Sequence, residues 1–95
     1  MSEELPSREL RTLKARAQSL KPMLKVGKEG LSPAFLKSVD DALAHHELIK
    51  VKFGEFKEEK KRLAPLLAEK TSAHLVTRVG NVAVLFRPKE AKPAG

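Results

Sequence analysis

The chain has no cysteine, no tryptophan and no tyrosine, and only four phenylalanines among its 95 residues. Without cysteine there is no disulfide framework and no thiolate metal site, which fits a reducing cytoplasm. Long apolar runs are absent too. The longest, Val82 to Phe86, is far too short to span a bilayer. The opening Met1-Ser2-Glu3-Glu4-Leu5-Pro6 is acidic and polar, unlike a secretory signal. Catalytic chemistry is equally thin. The only aspartates, Asp40 and Asp41, are adjacent on a predicted helix, and the serines mostly fall at caps and ends. No acid–base pair or nucleophile triad assembles from such parts, so no enzyme is expected.

What the chain has is positive charge. Nineteen basic residues face twelve acidic ones, a net charge of +7. The excess is uneven: 7 basic against 4 acidic groups in residues 1–30, 5 against 6 in 31–60, and 7 against 2 in 61–95. Such a surplus implies a polyanionic partner, which by charge alone is RNA, DNA or an acidic membrane surface. With 41% hydrophobic residues, a single folded domain of this length is expected.

Residues 1–6 read as a loose tail. Ser7 is an expected N-cap, and Leu10, Leu13, Ala17 and Leu20 mark one helical stripe that Pro22 ends near Leu20. Met23 to Val26 is a short strand. Ser32 caps a second helix with Pro33 in its first turn; Phe35, Leu36, Val39 and Leu43 supply its buried stripe. Leu48 to Phe53 alternates, with Ile49, Val51 and Phe53 on one face and Leu48, Lys50 and Lys52 on the other. Strand, helix and strand in that order make a parallel crossover. A third helix is expected over 55–72, with Pro65 either kinking it or dividing it.

Gly80-Asn81 between two apolar strands predicts a type II′ hairpin. That turn sets Val79 opposite Val82 and, at the far end, His74 opposite Arg87. Leu75, Thr77, Val79, Val82, Val84 and Phe86 then form a core face. The opposite face collects His74, Val76, Arg78, Ala83, Leu85 and Arg87, and is expected to be half-exposed and basic, continuing the side of Lys50 and Lys52. Residues 89–95 read as a flexible tail.

Gly27-Lys28-Glu29-Gly30 lies between the first strand and the second helix. A loop of this form lets a sugar-phosphate backbone come close, since neither glycine carries a Cβ, and the helix start can offer unpartnered N–H groups. Lys25 and Lys28 stand beside it; Glu29 repels phosphate. Taken alone the motif is weak, because a glycine between strand and helix is common for conformational reasons. It is neither a Walker-type loop nor a dinucleotide fingerprint. His45 and His46 are adjacent on a helix, about 100° apart, and do not share a ligand face, so no metal is expected. At least three of Phe35, Phe53, Phe56 and Phe86 fall on apolar stripes or core faces, which argues against a sheet that stacks bases on exposed rings.

The strand leading into Gly27-Lys28-Glu29-Gly30-Leu31, the run His45-His46-Glu47-Leu48-Ile49-Lys50-Val51-Lys52, Leu20-Lys21-Pro22, and the closing Val79-Gly80 and Val84-Leu85-Phe86-Arg87-Pro88 together resemble the bacterial YhbY family, the stand-alone form of the CRM domain. The likeness covers about residues 7–88. Phe86 stands where a tyrosine is usual, and Pro65 interrupts the third helix. The resemblance implies a compact two-layer α/β domain, in the order α-β-α-β-α-β-β with a mixed four-stranded sheet, similar to the C-terminal domain of translation initiation factor three. It implies RNA binding, with the glycine loop acting like that of KH domains. Stand-alone bacterial members of the family associate with precursors of the large ribosomal subunit, and plant relatives act in group II intron splicing.

The expectation is therefore a cytoplasmic, monomeric RNA-binding protein that assists large-subunit assembly, without cofactor, metal, membrane or small-molecule substrate. Its partner would be large-subunit ribosomal RNA or the precursor particle. The expected contacts are Gly27, Lys28, Glu29 and Gly30 in the loop, with Lys25 beside it. Lys50, Lys52, Arg78 and Arg87 widen the footprint if the mixed sheet face is exposed, and Arg11 and Lys14 extend it along the first helix. The alternative is a ribosome-associated protein–protein adaptor whose basic face does not recognise RNA.

Overall fold

The computed structural model describes residues 5–88. Its elements are α1 (Ser7–Ala17), β1 (Leu24–Val26), α2 (Pro33–His46), β2 (Leu48–Phe53), a short 3-10 turn (Lys57–Glu59) where the expected third helix would begin, α3 (Lys60–Lys70), β3 (His74–Val79) and β4 (Val82–Phe86). The order α-β-α-β-α-β-β is the expected one. The four strands form one mixed sheet in the order β1-β2-β4-β3. β1 and β2 are parallel, with Leu24 beside Val51 and Val26 beside Phe53. The other pairings are antiparallel.

The alternation in β2 decides where the main core lies. Ile49, Val51 and Phe53 are fully buried with Val26 of β1 and Ala83 and Leu85 of β4. Against them pack Val39 and Leu43 of α2 and Leu63, Ala64, Leu67 and Ala68 of α3. Each large apolar side chain removed from water here contributes about 1.5–3 kcal/mol before its ordering cost. A second cluster forms on the opposite face, where Leu13 and Ala17 of α1 meet Leu48, Val76, Val84 and Phe86. Leu5, placed in the expected tail, packs on this cluster with Leu10 and Leu20. The expected two layers thus gain a third, because both sheet faces carry apolar residues and α1 offers the stripe that covers one of them. The rest of the expected tails, residues 1–4 and 89–95, lies outside the described residues.

The hairpin corrects the expected faces. Gly80 takes φ +59°, as the first position of a type II′ turn requires. Val79–Val82, Arg78–Ala83 and Thr77–Val84 pair as expected. An irregularity between Leu75 and Thr77 then shifts the register, so Leu75 faces Leu85 and His74 faces Phe86. Ala83 and Leu85 are not half-exposed; through their pairs Val51 and Ile49 they join the main core. Lys50 and Lys52 pair with Val84 and Val82 on the α1 face instead. Hence no basic face unites them with Arg78 and Arg87.

Helix ends also differ. Ser7 is the first helical residue rather than the cap, a place taken by Pro6 without a side-chain bond. α1 stops at Ala17, and the N–H groups of Gln18, Ser19 and Leu20 turn to carbonyls three residues back. Pro65 neither opens nor ends a helix. It lies inside α3, exposed to solvent, so the Lys61 carbonyl that it deprives of a donor is on the wet side.

Candidate nucleic-acid interface

The Gly27–Gly30 loop leaves the C-terminal end of β1. Its turn is closed by the Gly30 N–H donating to the Gly27 carbonyl at 3.0 Å. The two glycines are there for different reasons. Gly30 adopts φ +65°, and a Cβ on it would stand 3.4 Å from Cε2 of Phe56, so both backbone and packing favour glycine. Gly27 has no positive φ, and a Cβ there would meet nothing within 4 Å. Among the described residues, nothing in the packing requires glycine at 27.

Leu31 and Ser32 separate the loop from α2. The Ser32 hydroxyl accepts from the Phe35 N–H at 3.2 Å, and its carbonyl accepts from Leu36 at 2.9 Å. Pro33 has no N–H. Of the donors that open the helix, this leaves the Ala34 N–H without a partner among the described residues. The expected anion seat at the helix start is thereby narrowed, because the chain caps its own helix. The N–H groups of the exposed Lys28 and Glu29 also have no partner among the described residues.

Several basic residues reach this end of the sheet. Lys25 and Lys52 are paired across β1 and β2, and both are exposed. The stem of Lys25 lies over Gly54, where a Cβ would come within 2.9 Å of its Cδ. The Val26 carbonyl accepts from both Gly54 and Glu55 at 3.1 Å, tying the base of the glycine loop to the turn after β2. The hairpin arrives at the same end: the Phe53 N–H donates to the Asn81 carbonyl at 2.7 Å. Arg78 is placed there and donates to the Gly80 carbonyl at 3.3 Å. Lys60, not anticipated from the sequence, donates to Oδ1 of Asn81 at 2.9 Å.

Lys50 sits farther along β2, half-buried, and donates to the Leu20 carbonyl at 2.9 Å. With Lys14 it flanks an open groove floored by Val82 and Val84, and Val79 at its edge is 68% exposed. Arg11 lies one helical turn before Lys14. Arg87 is elsewhere, at the opposite end of the sheet. Its guanidinium donates to Oδ1 of Asp40 at 2.6 Å, to the Thr71 carbonyl at 2.9 Å and to the Asp40 carbonyl at 3.1 Å. It joins α2, the end of α3 and β4.

Sequence reasoning left Phe56 without a role. It occupies the turn after β2 in the left-handed region, with φ 58° and ψ 37°, and is 40% exposed beside Gly30. Its one signal was its place outside every apolar stripe. His45 turns Nδ1 to the Asp41 carbonyl at 2.9 Å, and among the described residues no group of three His, Cys, Asp or Glu could hold a metal. No described helix is long and apolar enough to cross a membrane.

A model of the CRS1/YhbY (CRM) domain family matches residues 5–87. A Haemophilus influenzae protein named "RNA-binding protein" is 37% identical over 87 residues, covering 90% of this chain and 88% of that one. The "Probable RNA-binding protein YqeI" of Bacillus subtilis is 35% identical, covering 93% and 91%. A Methanocaldococcus jannaschii relative with a name of the same kind is 43% identical over 84% of this chain and 61% of its own. The solution structure of a hypothetical Staphylococcus aureus protein superposes with a TM-score of 0.78 at 33% identity, covering 95% of each chain.

Proposed function

The chain belongs to the CRS1/YhbY (CRM) domain family, and from that premise we propose that it binds RNA through the end of the sheet that carries the Gly27–Gly30 loop. The observation that carries this reading is Gly27, an exposed glycine that the fold itself does not need. A residue without a side chain is useful there if another molecule's backbone comes close. Lys25, Lys28 and Lys52 lie at the same end of the sheet without an acceptor among the described residues, and phosphates would supply one. The names of the relatives point to the same partner.

The RNA we assign is that of the large ribosomal subunit or its precursor particle, with the protein acting as an assembly factor by binding rather than by turnover. Affinity comes mostly from released counterions, and RNA shape supplies selectivity. A titration against large-subunit ribosomal RNA at several salt concentrations tests this. Tight binding whose logarithm falls steeply with the logarithm of salt concentration is expected. No binding at low salt would leave the adaptor reading, which the exposed Val79 beside the Lys14–Lys50 groove favours.

A further inference from the structure

We infer that Phe56, with the groove beside it, takes an unpaired nucleobase of the same RNA whose backbone lies on the glycine loop. The inference rests on the RNA reading above and adds a second element, a stacking platform, to the phosphate contacts.

Phe56 is costly where it stands. A bulky residue in the left-handed region is strained by roughly 1–2 kcal/mol, and such strain gathers at functional sites. The ring is also 40% exposed, whereas Phe53 and Phe86 are buried and Phe35 is partly buried against the core. One edge of the ring rests on Gly30, with Cε2 and Cζ 3.4 and 3.7 Å from where a Cβ would stand. The ring therefore lies against the loop turn, beside the proposed phosphate contacts.

Next to the ring is an open groove of about 450 Å³ between the loop and α3. Leu31, Leu63 and Leu66 give it an apolar lining. Arg62 and Lys70 stand on its α3 side, with Glu59 as the single carboxylate. Apolar walls with cations at the rim suit a flat aromatic ring joined to an anionic chain, which describes a nucleotide better than an apolar peptide. Single-stranded RNA is commonly held in this way, with bases on aromatic faces and phosphates on cations.

The chain has no tryptophan or tyrosine, so Phe56→Trp introduces a fluorescent reporter without background. Phe56→Leu keeps an apolar side chain and removes the aromatic face. With large-subunit ribosomal RNA as the probe, Phe56→Leu should bind about tenfold more weakly than wild type at matched melting temperature. Phe56→Trp should bind at least as tightly as wild type. Its emission should be quenched by the RNA but not by heparin, a polyanion that has no bases. Wild-type affinity in Phe56→Leu, or RNA binding by Phe56→Trp with unchanged emission or with the change that heparin gives, would overturn the stacking role while leaving RNA binding intact. Failure of the wild-type protein itself to bind the RNA would overturn both.

Discussion

The two ends of the sheet hold basic side chains in opposite circumstances. At one end Arg87 donates three hydrogen bonds to Asp40 and Thr71, and joins two helices to the last strand. At the other end Lys25, Lys28 and Lys52 lie beside or in the glycine turn and its strand pair without a partner among the described residues. The net charge of +7 does not separate these uses. A cation with its acceptors already in the fold contributes stability and has few donors left for a ligand. A cation without them costs little and remains available to phosphate.

Arg87→Ala breaks the contrast at its structural end and should have the largest effect. The charged hydrogen bonds it removes are partly exposed, so unfolding free energy should fall by about 2 kcal/mol in urea denaturation. RNA affinity measured below the new midpoint should be unchanged; a large loss of affinity would place Arg87 in the interface. Gly30→Ala tests the loop's own geometry. A Cβ at φ +65° against the Phe56 ring should lower stability by about 1–2 kcal/mol, read in the same denaturation.

Lys28→Glu should leave the melting temperature unchanged and weaken ribosomal RNA binding roughly tenfold, about 1.4 kcal/mol. The slope of log affinity against log salt should become shallower by about one or more. Gly27→Ala should have the smallest effect. Its site has room for the methyl group, so stability should hold or rise by about 0.4–1 kcal/mol. RNA affinity should nonetheless fall several-fold, and an unaltered affinity would mean that no backbone approaches Gly27.

Much of this arrangement was legible in the sequence because its signals are local. Ser32 and Pro33 announce the start of α2, and the hydroxyl bond to Phe35 is where the spacing puts it. The alternation Ile49, Val51, Phe53 identifies the core face of β2, and Gly80 sets the first three hairpin pairs. What escaped depends on distant partners. Whether Leu85 or Phe86 faces the main core depends on pairing with Ile49 and Leu48, far back in the chain, and the irregularity near Val76 changes only which β3 residues meet them. Nothing near α1 says that its stripe will cover the second face. Arg87 and Lys28 look alike in sequence, and only the approach of Asp40 from α2 distinguishes them. Phe56 carries no local turn signal, because its exposure comes from a left-handed turn without a glycine at that position.

RNA binding at the loop end is decided by one salt-series titration of large-subunit ribosomal RNA against wild type, the double variant Gly27→Ala/Lys28→Glu, and Arg87→Ala, each with its fold verified by thermal melting. Wild type and Arg87→Ala should show steep salt dependence at equal affinity. The double variant should lose at least tenfold in affinity while melting no lower than wild type. Equal affinity in all three proteins would contradict this, because the loop end would then not be where the RNA binds.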